Sequence, residues 1–196
     1  MKAITAKLFA KIGCKSEYEV IVRKGENRHQ IDVVIENKIA VECQASTMSN
    51  KEAEKRTREL NDLGYPVLWL LSAKNFKIDA EIKMLHQPES FIHGIYFGRV
   101  YYLDTDKTKI CPIHYTKITQ DIYTLEAYDG TSYYISEPDD IYSENIEFAY
   151  TKTLKKKKNV VVGSTLKKFY LFETESTYLP TNETFRIARF YDKKFW

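Results

Sequence analysis

The chain has 196 residues, 43% of them hydrophobic, 14% aromatic and 29% charged, which excludes a disordered tail and provides a core without disulfide staples. Lys and Arg number 30 against 27 Asp and Glu, and the net charge of +3 is too mild to define a nucleic-acid binder on charge alone. Three cysteines, Cys14, Cys43 and Cys111, form an odd set without paired spacing, so a reducing compartment and a cytoplasmic location are expected. The segment Met1 to Gly13 is interrupted by Lys2, Lys7 and Lys11 and lacks the apolar stretch of a signal peptide. No run approaches the ~20 apolar residues that span a membrane.

Ile4, Leu8, Phe9 and Ile12 recur at helical spacing with lysines opposite, and the spacing predicts a helix from Lys2 to Ile12 closed by Gly13. Alternation at Tyr18, Val20 and Val22 predicts a first strand, Lys24-Gly25-Glu26-Asn27 a turn, and Gln30 to Ile35 a second strand. Glu36-Asn37-Lys38 turns the chain again before a third strand, Ile39 to Gln44, which completes an antiparallel meander. Ser49 with Glu52 has the form of a capping box and opens a charged helix running to Leu63, ended by Gly64. The apolar run Val67-Leu68-Trp69-Leu70-Leu71 then suits a strand buried on both faces, reached by a parallel crossover. One more helix is expected over Ile78 to Leu85, ended by Pro88.

From Phe91 onward the texture is β-rich, with strand-like segments at Phe91 to Leu103, Lys109 to Ile118, Tyr123 to Tyr128, Ser132 to Ile135, Val160 to Val162 and Phe185 to Tyr191. The expected organisation is a core over residues 1–88 and a β-rich extension over 89–196, with a soft boundary near 88 to 90. Cys111-Pro112-Ile113-His114 is half of a zinc-site spacing without an answering second pair, and its expected role is packing.

The chemistry concentrates in Arg28-His29-Gln30-Ile31-Asp32-Val33-Val34-Ile35 and Ile39-Ala40-Val41-Glu42-Cys43-Gln44. Asp32 interrupts an apolar strand, while Glu42 and Gln44 stand two apart and share a face of the next one. Carboxylates on apolar strands are costly to bury unless they are paired or bind a metal. Asp32 and Glu42 on neighbouring strands, with a main-chain carbonyl, are hard oxygen ligands suited to Mg²⁺ or Mn²⁺. An isolated Asp32 near Arg28 would read instead as a structural ion pair, and Gln44 reads equally as a strand-end hydrogen bonder or as a residue that orients water.

This order of elements resembles the PD-(D/E)xK nuclease superfamily, whose restriction-endonuclease-like α/β (α+β) core runs helix, three-stranded meander, helix, strand. More specifically, Asp32-Val33, Val41-Glu42-Cys43-Gln44-Ala45-Ser46, Arg56 and Val67-Leu68-Trp69-Leu70-Leu71 resemble the CoiA-like competence family over roughly residues 1 to 103. The resemblance implies Asp32 and Glu42 as metal ligands and puts Gln44 in the place of the superfamily lysine. A neutral amide there offers hydrogen bonds but neither charge nor a usable base. The superfamily often adds an acid from the first helix, and Lys2 to Ile12 has no Asp or Glu; the resemblance implies Glu19 on the first strand in its place, with Glu17, two positions earlier on the same face, a second candidate.

Arg56 is expected to meet phosphate, against the alternative of a solvated helix face with Glu52–Arg56 and Glu54–Arg58 pairs. The run Lys155, Lys156, Lys157 and Lys158 reads as an exposed loop or as a further DNA contact. The function expected from the resemblance is that of a metal-dependent deoxyribonuclease-like protein acting on DNA in recombination, DNA processing or defence. The alternatives are a catalytically inactive DNA-binding protein on the same fold and a protein-interaction module.

Overall fold

The computed structural model of the protein describes residues 1–11, 13–25, 27–76, 82–117, 122–126, 132–135, 154–157, 160–165 and 170–191. In chain order the elements are α1 (Lys2–Lys11), β1 (Ser16–Lys24), β2 (Asn27–Ile35), β3 (Ile39–Gln44), α2 (Asn50–Asp62), β4 (Val67–Ser72), β5 (Ile82–Met84) and α3 (Glu89–Ile95). They continue with β6 (Arg99–Asp104), β7 (Lys109–Lys117), β8 (Ile122–Glu126), β9 (Ser132–Ile135), β10 (Leu154–Lys157), β11 (Val160–Thr165), β12 (Tyr170–Tyr178) and β13 (Glu183–Tyr191). The architecture is α+β. The chain divides into two compact units, one of Met1–Asp79, His86–Tyr115 and Ser164–Trp196, the other of Ala80–Leu85 and Thr116–Gly163. The first unit draws on both sides of the boundary expected near residues 88 to 90.

In the first unit β1, β2 and β3 form the antiparallel meander, and Glu36 and Asn37 at its second turn take φ of 53° and 54°, the left-handed geometry of a tight hairpin. The chain then crosses over through α2 to β4, which runs parallel to β3 from Ala40↔Val67 to Gln44↔Leu71. Ser49 caps α2 by accepting the Glu52 amide at 3.1 Å, and Gly64 at φ 92° closes it with its amide on the Asn61 carbonyl at 2.8 Å. Beyond β4 the sheet continues with β6, parallel, and β7, antiparallel. The β12–β13 hairpin joins the start of β4 through Ile187↔Val67.

Val67 to Leu71 are all fully buried, as a strand with both faces covered requires. The Trp69 indole N–H donates to Thr57 on α2 at 3.0 Å. On the other side the Tyr96 hydroxyl donates to the Val67 carbonyl at 2.7 Å and accepts the Trp69 amide at 3.0 Å. That hydroxyl satisfies β4 backbone groups lying between the pairing with β13 at Val67 and with β6 at Leu71.

The second unit holds two strand sets. β8 lies between β10 and β9, antiparallel to both, and β5 pairs antiparallel with β11 from Val160↔Met84 to Val162↔Ile82.

The helix expected over Ile78 to Leu85 is overturned, since Ile82–Met84 is a strand and 78–81 lie outside the described residues. The β-branched run of β11 supplies a pairing partner, and three residues are too few to nucleate a helix. Pro88 precedes a helix rather than ending one, and α3 replaces the first part of the strand expected at Phe91 to Leu103. Phe91, Ile92, Ile95 and Tyr96 recur at helical spacing and are all fully buried, and Gly98 at φ 87° turns the chain into β6. β12 and β10 were not expected as strands; both form by pairing with a neighbour, β13 and β8 respectively.

Candidate functional site

Asp32 is missing from the backbone ladders on both of its sides. On the β1 side the pairs run Tyr18↔Val33 and then Val20↔Ile31, so Glu19 stands opposite Asp32. Glu19 takes φ of 57°, a left-handed conformation in mid-strand that breaks the ladder there and costs on the order of 1–2 kcal/mol for a residue with a Cβ. On the β3 side the ladder ends at Val33↔Val41, and continuing its register puts Glu42 opposite Asp32. The Cys43 amide is taken instead by the Asp32 carboxylate, Oδ2, at 2.9 Å. The register of the meander thus puts three acidic residues at one level of the sheet, Glu19, Asp32 and Glu42 on successive strands.

Asp32 and Glu42 line a cleft of about 270 Å³ together with Lys2, His29, Gln30, Arg56, Glu59 and Leu60. The Glu42 side chain is only 7% exposed, and Arg56 Nη1 lies 3.5 Å from its Oε2. Burial, and then the neighbouring Asp32 carboxylate, push Glu42 up to about 7, while Arg56 draws it back. The Arg56 Nε is also held by Glu52 at 3.1 Å, one turn earlier on α2. His29 Nδ1 stands 3.8 Å from Glu59 Oε2 across the same cleft.

Lys2, at the first position of α1, reaches Asp32 Oδ1 at 2.9 Å and Glu19 Oε1 at 3.4 Å. The Asp32 hydrogen bond raises its pKa above the usual lysine value. Helix α1 is fixed to the sheet by buried Thr5, Ala6 and Phe9, by Thr5 Oγ1 against Cys43 Sγ at 3.5 Å, and by the Ser16 hydroxyl donating to the Ala6 carbonyl at 2.7 Å. Burial pushes the Cys43 thiol up to about 12, so it is inert packing under α1.

Of the residues singled out in the sequence, Asp32, Glu42 and Arg56 meet in the cleft. Glu19 joins them through Lys2 but lines an adjacent hollow with Met1, Ala3, Tyr18, Cys43 and Ala45. Gln44 does not line the cleft: its amide NH₂ donates to the Ser46 carbonyl at 2.7 Å and to the Ser46 hydroxyl at 3.1 Å. Glu17 pairs with Lys15 at 3.2 Å, and Arg58 is bound by Glu54 and Glu183. Lys155, Lys156 and Lys157 fall in β10 of the second unit and Lys158 lies outside the described residues, so the run expected as a loop is largely strand. Cys111 and His114 lie on β7, in register with Tyr102 and Arg99.

Lys2 and His29 are cleft residues that the sequence reading did not single out. His29 lay within the motif stretch, three residues before Asp32. Lys2 carried no local signal, because its proximity to Asp32 exists only once α1 has packed on the meander.

Among the described residues no three His, Cys, Asp or Glu side chains come together as a metal cluster. Asp32 and Glu42 are the two carboxylates of the cleft that could hold a hard divalent cation. Mg²⁺ characteristically uses one or two carboxylates and keeps waters or substrate phosphates in its other positions.

A helix, a three-stranded meander, a crossover helix and a parallel strand, with two carboxylates facing a cleft, define an α+β nuclease-like fold. A family model described as the nuclease-like domain of competence protein CoiA matches residues 2–145, and the chain belongs to that family. No curated protein and no solved structure matches the chain significantly. Among the described residues no helix is long and apolar enough to cross a membrane.

Proposed function

We propose that the chain is a Mg²⁺- or Mn²⁺-dependent DNA phosphodiesterase whose site is the Asp32–Glu42 cleft. The observation that carries this reading is Asp32 itself, omitted from both ladders with Glu19 opposite on one side and Glu42 on the other. Purely structural carboxylates do not need a gap in the sheet and a neighbour of like charge. Asp32 and Glu42 would hold the metal, helped by a main-chain carbonyl of β3. When bound, the metal supplies Lewis-acid polarisation of the phosphate and a lowered pKa for an attacking water. Arg56, held on Glu52 and Glu42, offers guanidinium donors to a phosphate oxygen and fixes the strand in the cleft. Membership of the CoiA nuclease-like family supports DNA as the substrate, and a role in recombination, DNA processing or defence is part of the proposal.

The second reading, a DNA-binding protein that does not cleave, is favoured by one observation: the Gln44 amide is spent on Ser46 and leaves no donor for water or phosphate. A cleavage assay separates the two. Single-stranded, double-stranded and branched DNA are incubated with Mg²⁺ or Mn²⁺ and with wild type, Asp32→Ala or Gln44→Lys. The nuclease reading expects metal-dependent cleavage by wild type, abolished by Asp32→Ala in a protein that still folds, and retained or raised by Gln44→Lys. No cleavage by wild type or by Gln44→Lys makes the binding-only reading the better one.

A further inference from the structure

We infer that Lys2 is a second residue, beside Arg56, that meets the substrate phosphate with positive charge, a role that rests on the phosphodiesterase reading of the cleft. The cleft has two cations facing its carboxylate pair, Lys2 and Arg56. Each is paired with two carboxylates, Arg56 with Glu52 and Glu42 from α2 and Lys2 with Asp32 and Glu19 from α1, so the two cations reach the cleft from different elements. Its ammonium is 2.9 Å from Asp32 Oδ1 and its side chain is 36% exposed, so the charge borders the carboxylates and remains open to a ligand. Gln44 supplies no charge and its NH₂ is already donated to Ser46, which leaves the cleft without a cation from β3.

The arrangement has a moving part. With a divalent cation held on Asp32 the ammonium would be repelled from that carboxylate, and its long flexible side chain would let it swing to the cleft edge. Glu19, 3.4 Å away and outside the cleft proper, is the carboxylate that keeps the displaced ammonium at the cleft edge. This gives the left-handed backbone of Glu19 a function: it turns a positioning carboxylate toward Lys2 at the one place where β1 faces Asp32. A phosphate entering between Lys2 and Arg56 is then held from two sides.

Wild type, Lys2→Met and Lys2→Arg are compared as full chains by Mn²⁺ calorimetry, by duplex-DNA binding over a salt series with Mn²⁺, and by cleavage rate. In the Met variant the slope of log affinity against log salt should fall by about 1, the loss of one phosphate contact. Cleavage should slow on the order of a hundredfold. Mn²⁺ affinity should stay equal or rise, because a competing cation has gone, and Arg should restore the salt slope. Should wild type bind without cleaving, the salt slope alone decides. A Met variant with the wild-type slope and rate overturns the role of Lys2 while leaving the phosphodiesterase reading in place. A Met variant that loses Mn²⁺ binding and melts lower in step shows a structural strut and overturns it too. Wild type binding neither Mn²⁺ nor DNA overturns the reading of the cleft first, and the role of Lys2 with it.

Discussion

Glu42 has an ordinary carboxyl value of 4.5 and is pushed up to about 7 by burial and by Asp32, so the folded protein favours its protonated form. A folded value above the unfolded one means that this contribution to stability is fully present below about 4.5 and is lost by about 7 as the pH rises. Urea unfolding of the metal-free protein should therefore show stability declining from pH 5 to pH 8, and Glu42→Gln should flatten that decline. An unchanged pH profile in the Gln variant would remove the environment described for Glu42. Mn²⁺ needs the ionised carboxylate, so its affinity should rise over the same interval. Asp32 and Glu42 stood out in the sequence because two carboxylates inside apolar strands contradict their surroundings; Arg56 was singled out only by its place on the following helix, where it forms the Glu52 pair weighed as the alternative and also reaches Glu42. Gln44 was legible only as a choice between two roles, and the Ser46 bonds that occupy it come from the chain's path two residues on. Lys2 was invisible, since in the sequence it is one of the lysines on the polar face of a helix.

The elements around the cleft were legible where periodicity, caps and turns agree, as in α1, the meander, α2 with its Ser49 cap, and β4. Legibility failed where tertiary pairing decides. β12 carries Glu173, Thr174, Glu175, Ser176 and Thr177 and is a strand because β13 lies beside it, and α3 was hidden by a proline that opens a helix rather than closing one. The Tyr96 hydroxyl shows what this tertiary layer contributes, because it bonds two buried backbone groups of β4, the Val67 carbonyl beside the Ile187 pairing and the Trp69 amide. Tyr96→Phe removes that bridge without changing shape, and an unsatisfied buried group costs about 1–3 kcal/mol. The variant should lose about 1–3 kcal/mol in denaturant unfolding, chiefly for the Trp69 amide left without an acceptor. A loss below about 0.5 kcal/mol, the size of an ordinary surface substitution, would mean that water or a shifted strand satisfies them instead.

At the scale of the whole molecule a net charge of +3 means that the proposed DNA binding would rest on local contacts rather than on an overall field. Binding should weaken steeply with salt and should depend on Arg56 and on Lys155, Lys156, Lys157 and Lys158. Charge reversal of all five with unchanged affinity for single-stranded, double-stranded and branched DNA would remove the nucleic-acid assignment. Beneath that lies the claim on which the rest depends, that the gap in the meander at Asp32 is a divalent-cation site. Calorimetric titration of Mn²⁺ into wild type and into Asp32→Ala tests it before any substrate is chosen. The account predicts saturable binding by wild type near one ion per chain, strengthening as the pH rises toward 7, and none by a folded Asp32→Ala. Equal heats for the two proteins, or no binding by wild type at neutral pH, would contradict it.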